Sequence, residues 1–159
     1  FVDQVGAVEK LAKGLPEGYK LYVKVHPGRE GHLAVNSYRR LAKIRNVVPL
    51  RGKVNSFDVV KQSQGVVLVS STVGLESYIM GKPTCIIGHW PYAVYGNFIR
   101  ETDLSKVFAR IQSQSISNDP AKFLQNLYKE TVDGSLYAGS EDFAALVNSI
   151  LTMTYLRNE

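Results

Sequence analysis

The sequence predicts an α/β domain in which helices flank a parallel β-sheet. Short apolar runs alternate along the chain with amphipathic segments of helical period. The run at 65–69 (Gly-Val-Val-Leu-Val) lacks polar alternation, which is typical of a strand covered on both faces. Strands separated by helices pair in parallel through right-handed crossovers. In such sheets ligands bind beyond the carboxyl ends of the strands.

The first half of the chain contains three predicted helices and two predicted strands. A helix over residues 2–14 is closed by Gly14, and Pro16 follows as a stop. A strand over 20–26 alternates apolar and polar residues until Pro27-Gly28. A second helix spans 34–44, and a short strand spans 47–50. Asn55 or Ser56 caps a short helix that runs through Ser63.

The second half begins with the strand at 65–69, a helix over 73–80 that Gly81 ends, and a strand over 84–87. Residues 89–103 fit neither period and are rich in aromatic side chains, which indicates a binding loop or an interface. Two more helices are predicted, one beginning at Asp119-Pro120 and one at Ser140. The lone cysteine, Cys85, is predicted to be a small buried side chain.

Size and composition suit one globular domain over residues 1–159, with 45% apolar and 21% charged residues. No apolar run is long enough to span a bilayer. The net charge of +5 suits an anionic ligand, but the basic residues form no dense tract, so nucleic acid is not a predicted partner. One cysteine excludes an internal disulfide and fits a reducing compartment. The chain starts at Phe1 without a visible signal peptide, so we expect a fragment of a longer protein.

The turn Ser70-Ser71-Thr72, where an apolar strand passes into a helix, predicts a phosphate site. Amides in the first turn of a helix lack intrahelical partners and favour an anion, and three hydroxyls exceed what one N-cap needs. Gly74 costs about 1 kcal/mol relative to alanine inside a helix. It therefore indicates close approach of a ligand or another backbone, or tight helix–strand packing. Glu76 lies at the wrong spacing for a capping box, so we expect it to face the ligand and accept hydrogen bonds from a ribose diol.

His26-Pro27 stands where the predicted strand 20–26 ends. Proline keeps the preceding residue out of helical geometry, which holds the imidazole at the ligand edge of the sheet. There His26 can donate to a phosphate oxygen or, when protonated, neutralise charge on a leaving group. A structural histidine at a strand end and ordinary helix caps at the serines are the alternatives. The sequence contains no dinucleotide or Walker loop, no zinc cluster and no nucleophile elbow.

Three segments together, in this order, resemble the capsule polysaccharide biosynthesis family, which is similar to bacterial Kdo transferases and sialyltransferases of the GT-B type. They are Val23-Lys24-Val25-His26-Pro27-Gly28, Ser70-Ser71-Thr72-Val73-Gly74-Leu75-Glu76 and Gly81-Lys82-Pro83, within roughly residues 20–100. The resemblance implies a Rossmann-like half of a GT-B fold and a glycosyltransferase for surface or capsular polysaccharide. Its substrate would be a nucleotide-activated sugar, with a CMP-Kdo-like compound favoured.

The resemblance also assigns roles to residues. His26, Pro27, Ser70 and Ser71, with Thr72 adjacent, would hold the phosphate of the nucleotide sugar, and Glu76 would lie near its ribose. The chain would be the carboxyl-terminal half, inactive without an amino-terminal domain that supplies the catalytic base, and the segment 89–103 would face that domain. No cofactor or metal is implied, because the nucleotide sugar is a substrate. The resemblance implies a cytoplasmic location, and this is compatible with peripheral association at the inner membrane.

Three other functions stay open. A glycerophosphotransferase that uses a CDP-glycerol type of substrate has a similar layout, but Leu68-Val69 stands where its family has an acid and an aromatic residue. A nucleotide-sugar epimerase shares the fold but usually has both halves. A flavodoxin-like interaction module, in which the serines are only helix caps, would have no affinity for nucleotides.

Overall fold

The computed structural model describes residues 3–24, 35–50, 54–69, 71–113 and 119–129. The chain divides into two compact units, Phe1–Pro120 and Ala121–Glu159. The first unit contains the strands and nearly all helices of the described residues, and the second contributes most of one helix. A single domain over residues 1–159 stays a prediction.

Helices and strands alternate in the described residues as the sequence predicts. The helices are α1 (Gln4–Lys13), α2 (Val35–Ala42), α3 (Ser56–Gln62), α4 (Val73–Ile79), α5 (Val107–Ser113) and α6 (Pro120–Lys129). The strands are β1 (Leu21–Lys24), β2 (Val47–Leu50), β3 (Val66–Leu68) and β4 (Thr84–Ile86), and a short 3-10 helix spans Pro91–Val94. None of the helices in this part of the chain is long and apolar enough to cross a membrane.

Local capping explains where several helices begin and end. The Asp3 carboxylate accepts a hydrogen bond from the Gly6 N–H (2.9 Å) at the start of α1, and Asn55 does the same for the Phe57 N–H (2.9 Å) at the start of α3. Gly81 follows α4 with φ +70°, a conformation that favours glycine. Helix α5 was not predicted. The helix predicted at Ser140 lies outside the described residues.

The strands pair in parallel, which confirms the predicted α/β class. β1 pairs with β2 from Leu21–Val47 to Lys24–Leu50, and β3 pairs with β4 from Val66–Thr84 to Leu68–Ile86. Within the described residues these are two separate pairs rather than one continuous sheet. Ile99 adds a parallel bridge beside Cys85, because its N–H donates to the Thr84 carbonyl (2.9 Å) and its carbonyl accepts from the Ile86 N–H (3.1 Å).

Helices cover both faces of the β3–β4 pair. α4 packs on the face that carries Thr84, whose hydroxyl lies 2.7 Å from that of Ser77. The opposite face belongs to a core formed by Ala7, Cys85, Ile99, Leu104 and Val107, from α1, β4 and the chain around α5. Cys85 has no exposed surface, so its predicted burial is confirmed. Helix α1 also contributes Val5 and Ala12 to the core over β1 and β2, and it thereby joins the two strand pairs into one unit.

Candidate functional site

The carboxyl ends of three parallel segments meet at one edge of the first unit. Strands β3 and β4 run in parallel, and the segment at Ile99 pairs with β4 in the same direction. The backbone of Gly88 lies so close to the Val69 carbonyl that a Cβ would have no room there. The side chains just beyond these strand ends are Ser71, Thr72, His89 and Arg100, which we call the ligand edge.

The Ser71-Thr72 turn bonds most of its own amides. Ser71 Oγ accepts from the Val73 N–H (3.2 Å), the Ser71 carbonyl accepts from the Gly74 N–H (3.3 Å), and the Thr72 carbonyl accepts from the Leu75 N–H (2.9 Å). The expectation that the first-turn amides are unpaired is therefore wrong for the amides of Val73, Gly74 and Leu75. An anion here would be held by the hydroxyl protons of Ser71 and of Thr72, which is exposed and makes no capping bond.

Gly74 is needed because Tyr92 passes directly over it. The Tyr92 hydroxyl donates to the Ser71 carbonyl (2.6 Å) and occupies the space that a Cβ at Gly74 would take. The same Cβ would lie 2.8 Å from Leu68 Cδ2. Close packing of α4 against β3 and Tyr92 thus accounts for the glycine, and its role in binding substrate stays a prediction. Burial raises the pKa of the Tyr92 phenol to about 12, so the hydroxyl keeps its proton at neutral pH.

Aromatic packing orders the segment that the sequence marked as irregular. The Tyr92 ring contacts Trp90 edge-on, with centroids 5.7 Å apart, and contacts Phe98 at 5.5 Å. Phe98 also packs on Tyr78 of α4, with centroids 4.7 Å apart. These four side chains, Tyr78, Trp90, Tyr92 and Phe98, form what we call the aromatic cluster. The cluster fixes the segment 90–98 against α4, next to the ligand edge.

Arg100 supplies a positive charge at the ligand edge. Its Nη1 donates to the Gly88 carbonyl (3.0 Å), and among the described residues no carboxylate pairs with it. The nearby acids have other partners, since Glu101 pairs with Arg110 (3.4 Å) and Asp103 pairs with Lys106 (3.2 Å). An exposed guanidinium whose other N–H groups bond no described residue is suited to bind a phosphate or a carboxylate.

His89 and Arg100 are the residues that the sequence reasoning missed. His89 follows the predicted strand 84–87, so the rule that ligands bind at strand ends was a usable signal. Arg100 had no such signal, because its place depends on the single bridge between Ile99 and Cys85.

The remaining predicted residues are only partly placed. Glu76 is half-buried on α4 one turn after Thr72, and its carboxylate has no hydrogen bond or ion pair with another described residue. His26, Pro27 and Ser70 lie outside the described residues. Lys24, near His26 in sequence, donates from Nζ to Ser56 Oγ (2.7 Å). Nowhere in the described ranges do three His, Cys, Asp or Glu side chains group as a metal site requires.

The fold and this edge define an α/β protein with parallel strands and a polar, cationic site at the strand ends. A family model for capsule polysaccharide biosynthesis proteins matches residues 5–137, and the chain belongs to that family. The match includes His26, Pro27 and all residues of the ligand edge. No curated protein and no solved structure matches the chain significantly.

Proposed function

We propose that this chain binds a nucleotide-activated sugar at the ligand edge, as the donor-binding domain of a glycosyltransferase in capsule synthesis. The observation that carries the proposal is the arrangement of the ligand edge. The ends of strands β3 and β4 and of the segment bridged at Ile99 bring the hydroxyls of Ser71 and Thr72 together with an arginine that lacks a carboxylate partner among the described residues. Membership of the capsule biosynthesis family supports it.

The chemistry of the edge suits the phosphate of a nucleotide sugar. Ser71 Oγ accepts from the Val73 N–H, and this leaves its own proton free to donate to a phosphate oxygen. Arg100 provides charge-assisted hydrogen bonds, which are about twice as strong as neutral ones. Negative charge grows on the leaving nucleotide as the sugar is transferred, and fixed cationic donors stabilise that charge. His26 would add a second cationic donor, and Glu76 would accept hydrogen bonds from the ribose.

The resemblance to Kdo transferases favours a CMP-linked sugar as the substrate. In this proposal the base that activates the acceptor belongs to an amino-terminal domain, and the present chain binds the nucleotide sugar but does not catalyse transfer alone. Peripheral association with the cytoplasmic face of the inner membrane would bring the enzyme to its acceptor.

Calorimetric titration of the protein with CMP, UDP, CDP and GDP tests the proposal. We expect binding of at least one nucleotide, with CMP the tightest, and weaker binding by Ser71→Ala and His26→Ala. Ser113→Ala is the matched control, because that serine lies on α5 and its hydroxyl donates to the Arg110 carbonyl. Unchanged affinity in both site variants would refute the site.

Failure of all four nucleotides to bind would favour the interaction module. In that case the Ser71 hydroxyl serves only as a cap for the Val73 N–H, a bond that the structure contains.

A further inference from the structure

Tyr92 is the side chain that joins the segment 90–98 to the Ser71-Thr72 turn. Among the described residues, the Ser71 carbonyl accepts a short hydrogen bond from the Tyr92 hydroxyl (2.6 Å) and a long one from the Gly74 N–H (3.3 Å). The shorter bond comes from a residue 21 positions away in sequence. The position of the turn therefore depends on a side chain that belongs to another segment.

The contact is closely fitted on both sides. Gly74 leaves the space that the phenol oxygen fills, and the Tyr92 side chain is itself only 7% exposed. Trp90 and Phe98 hold the ring from two directions. A phenol that is buried, protonated and packed on three sides has little freedom to leave the Ser71 carbonyl.

We propose that Tyr92 is a positioning residue that holds the Ser71-Thr72 turn in the conformation that takes the phosphate of the nucleotide sugar. The inference rests on the proposed function for the identity of the ligand. Without the Tyr92 hydroxyl, the Ser71 carbonyl keeps the long bond from Gly74 and no other from a described residue, and the turn samples more conformations. The Ser71 and Thr72 hydroxyls are then no longer directed at one place, and ordering them again on binding reduces affinity.

The fluorescence of Trp90 can report on the contact between Tyr92 and the Ser71-Thr72 turn. Trp90 is the sole tryptophan of the chain, and its ring lies edge-on to that of Tyr92. Because Tyr92 links it to the turn, we expect a nucleotide at the ligand edge to change the fluorescence of Trp90. Removal of the Tyr92 hydroxyl should weaken that response at saturating nucleotide.

The first test needs no ligand and compares Tyr92→Phe with Tyr78→Phe. Both variants remove one tyrosine hydroxyl from the aromatic cluster, but the Tyr78 hydroxyl accepts from the Asn97 N–H (3.3 Å) instead of bonding Ser71. In Tyr92→Phe, hydrogen exchange of the amides of residues 73–75 should accelerate about threefold to tenfold, the factor that one net hydrogen bond corresponds to. Tyr78→Phe should leave those amides within twofold of wild type. Equal exchange at the turn in wild type and both variants would overturn the proposal.

The second test measures CMP binding by calorimetry and by Trp90 fluorescence. We expect Tyr92→Phe to bind CMP about threefold to tenfold more weakly with a smaller fluorescence change, and Tyr78→Phe to match wild type. Equal CMP affinity in wild type and Tyr92→Phe would overturn this inference and leave the proposed function standing. A wild-type protein that binds no nucleotide would overturn the proposed function and the ligand part of this inference, whatever the exchange rates show.

Discussion

At Gly74, the lack of a side chain lets Tyr92 reach the Ser71 carbonyl. We predict that Gly74→Ala lowers the free energy of unfolding by up to about 2 kcal/mol. Overpacking costs about 1–3 kcal/mol, and the better helix propensity of alanine offsets about 1 kcal/mol of it. Urea unfolding monitored by circular dichroism would measure the change.

The same substitution in a Tyr92→Phe background separates packing from helix propensity. Removal of the hydroxyl takes away the nearest atom to the new methyl group, so the cost of Gly74→Ala should fall by at least about 0.5 kcal/mol. An alanine that stabilises the protein, or that costs the same in both backgrounds, would show that Tyr92 does not determine this glycine.

Arg100 should contribute more to ligand binding than its exposure suggests. We predict that Arg100→Gln weakens nucleotide binding about tenfold or more, because a charge-assisted hydrogen bond is worth about 1.5–3 kcal/mol. Calorimetric titration with the tightest nucleotide would measure it. Arg110→Gln is the matched control, since it removes the same charge from an exposed arginine on α5 that pairs with Glu101. Equal losses in the two variants would indicate a long-range effect of net charge instead of direct contact.

At the scale of elements, one buried hydroxyl pair fixes α4 on β4. The Ser77 hydroxyl contacts the Gly74 carbonyl (2.9 Å) and the Thr84 hydroxyl (2.7 Å), and the Thr84 hydroxyl also contacts the Lys82 carbonyl (2.9 Å). Two hydroxyl protons serve three contacts, so two of the three can be made at once. Each residue keeps a backbone acceptor when the other is removed.

We therefore predict that Ser77→Ala and Thr84→Val each cost about 1–2 kcal/mol in free energy of unfolding. The double variant should cost about 0.5–1.5 kcal/mol less than the sum, because the shared contact is lost only once. Denaturant unfolding of the four proteins would measure this coupling. As a control, Ser113→Ala combined with Thr84→Val should be additive. Additivity in the Ser77–Thr84 pair would show that the two hydroxyls act independently.

The elements that the sequence predicted well are those with local signals. Helix α1 ends at Lys13, directly before Gly14, the residue that the sequence predicts to end it. Helix α5 was missed because it is short, has no acidic residue in its first turn and fully buries only Val107, so its apolar pattern is weak in the sequence. Its position follows from packing on β4, which only the folded chain contains.

At the scale of the molecule, the site depends on contacts that are distant in sequence. Tyr92 and Ser71 are 21 residues apart, and Arg100 and Gly88 are 12 apart. The sequence located the turn because hydroxyls after an apolar strand are a local pattern. It did not show that the turn bonds its own amides. It also did not show that a tyrosine holds the turn from outside, because that bond depends on where the segment 90–98 folds back.

The free energy of unfolding of the whole molecule should fall at alkaline pH, because two buried groups on or near β4 release their protons less easily in the folded protein than in the unfolded chain. Burial raises the pKa of the Cys85 thiol from 9.0 to about 11 and that of the Tyr92 phenol from 10.0 to about 12. Both groups are neutral when protonated, and the folded state holds their protons more tightly than the unfolded state. Their contribution is therefore fully present below about pH 9 and is lost as the pH rises through 9 to 12.

We predict that the free energy of unfolding drops by about 1–3 kcal/mol per group across that window. Urea midpoints measured at pH 8, 10 and 11.5 would follow the loss. Tyr92→Phe should be less stable than wild type at pH 8 but should lose less stability between pH 10 and 12, because phenylalanine has no proton to release. Tyr22→Phe, which removes an exposed phenol from β1, should follow the wild-type curve. Parallel curves for wild type and Tyr92→Phe would mean that the Tyr92 phenol ionises as easily in the folded protein as in the unfolded chain, contrary to its burial against Gly74.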